Sequence, residues 1–251
     1  MPLQCRIPSL IVPLKPVAIF RFSVEDGPGY FASFLDRHCV PWTVFKLDEG
    51  AALPDELNDY AGLVFMGGAM SVNDELPWMA PMLKLIRRAI ENDQPCLGHC
   101  LGGQLMSKAM GGTVTLNPVK EIGWNEVQAT NSAAARDWLG GESSRLTAFQ
   151  WHGDTFSIPA GAERILTSDA CLNQAFVIGK SLGMQCHTEM TPEMIEDWCR
   201  DWESENADPM LESIQTPEEM LTATRGNLPG LNRLADRLYT KWLEGLNREN
   251  C

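Results

Sequence analysis

The chain has 251 residues, 44% of them hydrophobic, and a formal net charge of −13 at pH 7, which disfavours nucleic acid and anionic membranes as partners. No apolar run reaches the roughly 18 residues that a membrane-spanning helix needs, so no span is predicted. Eight cysteines show no CxxC pair or zinc spacing, which favours reduced thiols, no bound metal and a cytoplasmic protein.

The first half of the chain predicts alternating strands and helices. Residues 1–15 are interpreted as a leading arm, because their apolar stretch is short and broken by prolines, unlike a secretory signal. Apolar runs predict strands at 17–22, 42–47 and 62–66, and helical periodicity predicts helices at 30–39 and 78–91. This order is typical of a parallel sheet with helical crossovers.

A glycine-flanked cysteine follows the next apolar run. Gly98 and Gly102 flank Cys100, and a helical pattern at 101–110 begins directly after it. In a sharp turn from strand to helix, the residue at the tip adopts strained dihedrals and its side chain stands clear of the backbone. The helix dipole favours a thiolate at that position. The spacing predicts Cys100 as a nucleophile, with a buried structural cysteine as the alternative.

A base for this nucleophile must come from four histidines, at positions 38, 99, 152 and 187. His187 stands at the end of an apolar strand, and Glu189, two residues on, should face the same side and hold the ring. His99 should point away from the Cys100 side chain, because neighbouring strand residues face opposite sides. We therefore predict a nucleophile, a base and an orienting acid in Cys100, His187 and Glu189. A metal site or a helix cap is the alternative for the His187 and Glu189 pair.

Two glycines, Gly67 and Gly68, follow the predicted strand at 62–66. They lie at the carboxyl edge of the predicted sheet, where parallel sheets bind ligands. Their N–H groups are placed to approach a developing oxyanion. A plain tight turn is the alternative.

Beyond residue 113 the pattern changes to short apolar runs separated by turns. The runs are 114–116, 123–129, 146–151, 164–168 and 174–178. They predict antiparallel pairing, as an edge extension of the sheet or as a small flap. Thr191 and Pro192 predict the start of a helix, and residues 205–251 show two further helical patterns.

Together these motifs resemble the class I, triad-type glutamine amidotransferase family, as in the glutaminase domain of GMP synthetase. The resemblance covers about residues 16–205 and is carried by Phe65-Met66-Gly67-Gly68, Gly98 to Gln104, Trp151-His152-Gly153-Asp154, and His187 with Glu189. It implies a flavodoxin-like α/β fold, with a mostly parallel central sheet, helices on both faces and a small antiparallel extension. From their helical patterns, residues 206–251 are interpreted as a helical extension packed on that domain, with contact to another subunit as the alternative. Two residues depart from the family pattern, namely Thr188 in place of proline and His99 in place of a small apolar residue.

The resemblance also implies roles for individual residues. The N–H groups of Gly68 and Leu101 would form an oxyanion hole. The substrate-binding residues would be Gln104, Gly67, Gly153, Asp154 and His152. Gln104 would bind the amino-acid head of glutamine and Asp154 its ammonium group, with His152 either in contact with the substrate or bracing the loop. Ordinary turn structure is the alternative for Asp154 and His152. No cofactor is implied.

The implied function is hydrolysis of the γ-carboxamide of glutamine, or of a γ-glutamyl amide, through a thioester on Cys100. The ammonia would pass to an unknown acceptor, which leaves room for a synthase partner. A γ-glutamyl peptidase would use the same three residues, and a non-catalytic binding or thiol-sensor protein is a third interpretation. The two enzymes differ in whether the pocket beyond the scissile bond is closed around ammonia or open to a peptide.

Overall fold

The computed structural model describes residues 14–141, 145–202 and 211–246. The predicted arm at 1–15 lies outside the described residues except for Leu14 and Lys15. The predicted boundary between residues 205 and 206 lies outside them as well.

A nine-stranded sheet forms the centre of the molecule. Its strands are β1 (Val17–Arg21), β2 (Trp42–Lys46), β3 (Gly62–Phe65), β4 (Cys96–His99), β5 (Val114–Ala129), β6 (Arg145–Phe156), β7 (Glu163–Thr167), β8 (Ala175–Ile178) and β9 (Ser181–Met184). They are ordered β2-β1-β3-β4-β9-β8-β7-β5-β6. Pairing is parallel from β2 to β9 and antiparallel from β9 to β6. The predicted parallel sheet is confirmed, and its antiparallel part is an edge extension.

Helices cover both faces of this sheet, as predicted. They are α1 (Gly29–Arg37), α2 (Met79–Glu91), α3 (Leu101–Ala109), α4 (Ala133–Leu139), α5 (Pro192–Arg200) and α6 (Pro217–Glu244). Successive residues of β1 enter opposite cores because side chains alternate along a strand. Val17 and Ile19 belong to the core that contains residues of α1, α4, α5 and α6, whereas Ala18 and Phe20 belong to the one with α2 and α3.

Two helices differ from the prediction. The segment 113–185 contains α4, where only strands were expected. This helix forms because the Ser132 hydroxyl caps its start by accepting a hydrogen bond from the Ala135 N–H at 2.9 Å, and Gly140 ends it at a φ of +73°. In the second case, α6 is a single helix of 28 residues with Pro229 inside it, where two patterns were expected. Its buried face continues past the proline at Leu231, Leu234, Leu238 and Trp242. Packing therefore outweighs the backbone hydrogen bond that a proline removes.

The cysteines differ partly from the expectation of reduced thiols. Cys39 is disulfide-bonded, so the expectation is wrong at that position, where no local spacing pattern signals a bridge. The free thiols among the described residues are Cys96, Cys100, Cys171, Cys186 and Cys199. No helix in the described part of the chain has the combined length and apolarity required to cross a membrane.

Candidate active site

Cys100 lies at the tip of the turn between β4 and α3, with a φ of +46° and a ψ of −105°. Such dihedrals are strained for a residue that has a β-carbon. A β-carbon at Gly98 would strike the backbone of Gly102, and one at Gly102 would strike the carbonyl group of Phe65. The glycines are therefore required where strand and helix cross, as the sequence pattern predicts.

His187 and Glu189 follow β9, the parallel neighbour of β4, so both approach the edge of the sheet at which Cys100 lies. The His187 N–H donates to the Phe149 carbonyl oxygen at 2.9 Å, which fixes its backbone. Its Nδ1 lies 2.7 Å from Glu189 Oε1, and both side chains are buried. The His187 ring lines the same cleft as Cys100. The structure thus brings the three predicted residues together.

Charges at this site favour a protonated His187 ring. Burial lowers the pKa of His187, but the negative charges of Glu189 and Cys100 outweigh burial and raise that pKa well above its usual value. Burial raises the pKa of Glu189, whereas the His99 and His187 rings lower it and prevail. A protonated imidazole at this position can donate a proton to a reacting group in the cleft.

A glutamine that the sequence analysis did not identify contacts the thiol. Gln185 Nε2 donates to Cys100 Sγ at 3.4 Å, and Gln104 Nε2 donates to Gln185 Oε1 at 3.2 Å. The predicted substrate residue Gln104 thus lies in the site, where it is buried and bound to Gln185. The position of Gln185 in the site could have been predicted from the sequence. It precedes His187 by the same two-residue step that separates His187 from Glu189, and residues two apart on a strand face the same side.

The predicted oxyanion donors lie next to the cysteine. Gly68 and Cys100 line the same two clefts, and Leu101 is the first residue of α3. Within the described residues, neither the Gly68 nor the Leu101 N–H donates to a protein acceptor. At the neighbouring Gly67, a β-carbon would overlap the carboxylate of Asp26. Two N–H donors near the sulfur are what stabilisation of an oxyanion requires.

Two clefts meet at Cys100, and they share Gly68, Ala69, Cys100 and Trp151. The imidazole-side cleft encloses about 310 Å³, and its other lining residues are Ser23, Glu25, Asp26, His187, Trp198 and Asp201. The strand-side cleft encloses about 330 Å³, and its lining includes Gln104, Lys120, His152, Gly153 and Asp154. The predicted substrate residues other than Gly67 therefore line the strand-side cleft, whose lining does not include His187.

His152 is fixed by hydrogen bonds on both sides of its ring. Its Nδ1 lies 2.9 Å from the Asp154 carbonyl oxygen, and its Nε2 lies 3.0 Å from Glu121 Oε2. The Asp154 carboxylate accepts the Ser71 hydroxyl at 3.2 Å. Of the two roles expected for His152, bracing of the loop is the one for which the structure shows contacts.

One group of three potential metal ligands occurs in the described part of the chain. Ligand atoms of Glu121, His152 and Cys171 lie within 4.8 Å of one another. Both oxygens of Glu121 already accept hydrogen bonds, from Ser168 at 2.8 Å and from Gln174 at 2.6 Å. Hydrogen bonding within the protein thus accounts for this group as a brace under the strand-side cleft.

The class-I glutamine amidotransferase family model matches residues 33–198. The chain belongs to this family. The glutamine amidotransferase-like protein YfeJ of Salmonella typhimurium is 30% identical over 193 residues, which cover 74% of this chain and 80% of YfeJ.

Two further relatives are similar to this amidotransferase-family chain. The crystal structure of a glutamine amidotransferase from Methylobacillus flagellatus is 44% identical, with a TM-score of 0.91, and the match covers 95% of this chain and 98% of that one. A glutamine-hydrolysing GMP synthase subunit of Sulfurisphaera tokodaii is 32% identical over 137 residues, which cover 53% of this chain and 70% of the relative.

The two departures from the family pattern meet at one hydroxyl group. Tyr239 of α6 places its Oη 2.9 Å from His99 Nε2 and 2.8 Å from Thr188 Oγ1. His99 points away from both clefts, as expected, and its Nε2 lies 3.7 Å from Glu189 Oε2. Burial lowers the pKa of His99, and the negative charge of Glu189 opposes that decrease without reversing it. Buried hydrogen bonds thus connect α6 to His99 and Thr188, which lie next to Glu189 in this family member.

The sequence analysis did not identify Asp26 and Trp198, which also contact the site. The Asp26 side chain is buried against Gly67. The Trp198 ring packs edge to face on the His187 ring, with centroids 4.9 Å apart and an interplanar angle of 89°. Both residues come from outside the four family motifs, from the segment after β1 and from α5, so no local pattern marks them.

Proposed function

We propose that this protein hydrolyses the γ-amide of glutamine, or of a related γ-glutamyl compound, through a thioester on Cys100. One observation carries the proposal. The strained Cys100 shares a cleft with the ring of His187, and Glu189 holds that ring at 2.7 Å. Family membership supports the same class of reaction.

In the proposed reaction the Cys100 thiolate attacks the γ-carbonyl carbon, and a C–S bond forms. The N–H groups of Gly68 and Leu101 stabilise the oxyanion, each by roughly 3 kcal/mol. His187 donates its proton to the nitrogen as the C–N bond breaks, which releases ammonia or an amine. Water then loses a proton to His187 and attacks the thioester, so that the C–S bond breaks and glutamate leaves.

The glutamyl group is placed in the strand-side cleft in this proposal. Gln104, Gly153 and Asp154 line that cleft and would bind the amino-acid end of the substrate, while His152 braces the loop. Gly67 would shape the turn beside them. The relative from Sulfurisphaera tokodaii is named as one component of GMP synthase, which supports a synthase partner that uses the ammonia. We assign these roles to a domain at 16–205, with 206–251 as its helical extension.

Release of glutamate and ammonia from glutamine tests the proposal. Replacement of Cys100 by alanine should reduce kcat by at least about a thousandfold, because no other group supplies the nucleophile. A glutamine analogue with an electrophilic ketone should label Cys100 and no other cysteine. The matched control is Cys199→Ala, on α5, which should retain activity. Glutamate release that persists unchanged in Cys100→Ala would contradict the proposal.

A γ-glutamyl peptidase is the second candidate, and one observation favours it. The imidazole-side cleft encloses about 310 Å³ beyond the sulfur, whereas a molecule of the size of water or ammonia fills about 30 Å³. Faster glutamate release from γ-glutamyl dipeptides than from glutamine would support this activity. If the wild type releases no more glutamate from either substrate than Cys100→Ala does, a binding or thiol-sensor protein is supported instead.

A further inference from the structure

The imidazole-side cleft has a distinct charge. Its lining includes the carboxyl groups of Glu25, Asp26 and Asp201, and no lysine or arginine occurs among the described residues that line it. The strand-side cleft differs, because Lys120 lines it together with Asp154. The two clefts that meet at Cys100 thus offer surroundings of different charge.

The acidic groups come from two separate elements, both of which line the cleft. Glu25 and Asp26 belong to the segment between β1 and α1, and Asp201 directly follows α5. Glu25 and Asp201 are exposed at the rim, whereas Asp26 is buried deeper in the cleft. The carboxylates therefore extend from the neighbourhood of the sulfur out to solvent.

Indole rings form the apolar wall of the same cleft. Trp151 and Trp198 pack edge to face, with ring centroids 5.5 Å apart, and both line the cleft. The Trp198 Nε1–H donates to the Glu25 carbonyl oxygen at 3.3 Å, which fixes the indole next to the acidic segment. Carboxylates beside indole faces form surroundings that bind an alkylammonium group, through charge attraction and cation–π contact.

The His187 ring shows which half of the substrate enters this cleft. Its Nε2 is buried and has no hydrogen-bond partner within the described residues, while its Nδ1 is bound to Glu189. His187 lines the imidazole-side cleft and is absent from the lining of the strand-side cleft. In the proposed reaction this ring protonates the departing nitrogen, so the amine half must lie on its side of the sulfur.

We propose that the imidazole-side cleft is a binding subsite for the amine half of a γ-glutamyl amide, and that it selects amines with a second positive charge, such as diamines. This inference rests on the proposed hydrolysis at Cys100. A γ-glutamyl dipeptide would instead place its free carboxylate near Glu25 and Asp201, where like charges repel. The subsite thus separates γ-glutamyl diamines from γ-glutamyl peptides as substrates.

Three amides of one chain length test the selection. They are the γ-glutamyl amides of 1,4-diaminobutane, of pentylamine and of 5-aminopentanoate, whose chains end in a cation, a methyl group and an anion. We expect kcat/KM to fall in that order, by roughly tenfold at the first step, and the difference should shrink at high salt. Equal values for the three amides, or a preference for the anionic one, would overturn the subsite.

Substitutions locate the preference in the cleft. In Asp201→Asn and in Glu25→Gln the ratio between the diamine and pentylamine amides should fall severalfold, because a carboxylate is lost while the shape is kept. The matched control is Glu196→Gln, an exposed residue of α5 outside the cleft, which should leave the ratio unchanged. An unchanged ratio in both cleft variants would place the selection elsewhere and overturn the inference.

Binding distinguishes failure of the subsite from failure of the hydrolysis. Calorimetry with Cys100→Ala measures the affinity for the three amides without turnover. If the diamine amide binds more tightly but the wild type releases no glutamate, the subsite is supported and the hydrolytic function is contradicted. If the wild type hydrolyses glutamine but shows no charge preference in binding or turnover, the hydrolytic function is supported and the subsite is contradicted.

Discussion

Asp26 is a single carboxyl group whose ionisation is altered by the fold. Burial raises the pKa of Asp26 to about 6; the His187 charge opposes this increase and Glu189 adds to it. The ordinary pKa of an aspartate is near 3.8, so the folded protein holds a proton at Asp26 over a range in which the unfolded chain has lost it. The contribution of Asp26 to stability is therefore complete below about pH 3.8 and is lost as the pH rises through about 6.

Replacement of Asp26 by asparagine removes this ionisation while keeping the shape. The free energy of unfolding of Asp26→Asn, relative to wild type, should increase by roughly 3 kcal/mol between pH 3.5 and pH 7, since each pKa unit corresponds to about 1.4 kcal/mol. Urea unfolding of both proteins across that range measures the difference. Asp55→Asn, at an exposed position, is the control and should show no such trend. A pH-independent difference for Asp26→Asn would contradict the assignment.

Individual site residues were predictable only where a local pattern marks them. Cys100 stands between two glycines, and Glu189 follows His187 at the two-residue step of a strand, so both could be read from neighbouring positions. Asp26 and Tyr239 reach the site from distant parts of the chain. Their side chains are placed by the packing of α1 and α6, which a residue pattern around positions 26 or 239 does not encode.

At the scale of elements, α6 contributes a polar group to the surroundings of Glu189. Tyr239 is fully buried on this helix, and its hydroxyl bridges His99 and Thr188. We expect Tyr239→Phe to lower the free energy of unfolding by about 1 to 3 kcal/mol, because both partners are left buried without their bond. Urea unfolding at pH 7 measures this loss.

The control for this prediction is the same substitution at Tyr60, one of three tyrosines in the chain. The Tyr60 hydroxyl makes no side-chain hydrogen bond within the described residues, and the residue is only partly buried, so Tyr60→Phe should change stability by less than about 0.5 kcal/mol. Equal losses at both positions would show that the Tyr239 network contributes nothing specific.

Elements were predicted best where apolar periodicity is strong. The strands and helices of the first half of the chain agree with the prediction within a few residues, because their buried faces repeat at the period of each structure. The short α4 was missed, although Ser132 and Gly140 carry its start and end signals, because a helix of about two turns gives little periodicity. For α6 the sequence predicted two helical patterns, and only the continuous core beneath the helix explains why it runs through Pro229.

At the scale of the whole molecule, α6 completes the core on one face of the sheet. Trp242 is fully buried, and a β-carbon at Gly62 of β3 would lie 2.8 Å from its indole ring. Trp242→Ala should lower the free energy of unfolding by about 3 to 5 kcal/mol, as large cavities in cores do. Denaturant unfolding checks this, with Leu221→Ala on the exposed side of α6 as the control. A loss of less than about 1 kcal/mol for Trp242→Ala would mean that α6 is not integral to the core.

The order of the strands could not be predicted, although the fold class could. The alternation of strands and helices indicates a parallel sheet, and the short runs after residue 113 indicate antiparallel pairing. The last strand, β9, lies between β4 and β8, so it joins the two parts. That insertion depends on contacts between distant segments. It brings His187 next to the turn at Cys100, and both clefts result from it.

The position of Tyr239 has a consequence for how the protein is made. Because a ribosome adds residues from the amino end, Cys100 and Glu189 are both synthesised before Tyr239 of α6. Until that tyrosine has emerged, the nascent chain lacks the hydroxyl that bridges His99 and Thr188. The surroundings of Glu189 are therefore assembled late, when translation has passed residue 239.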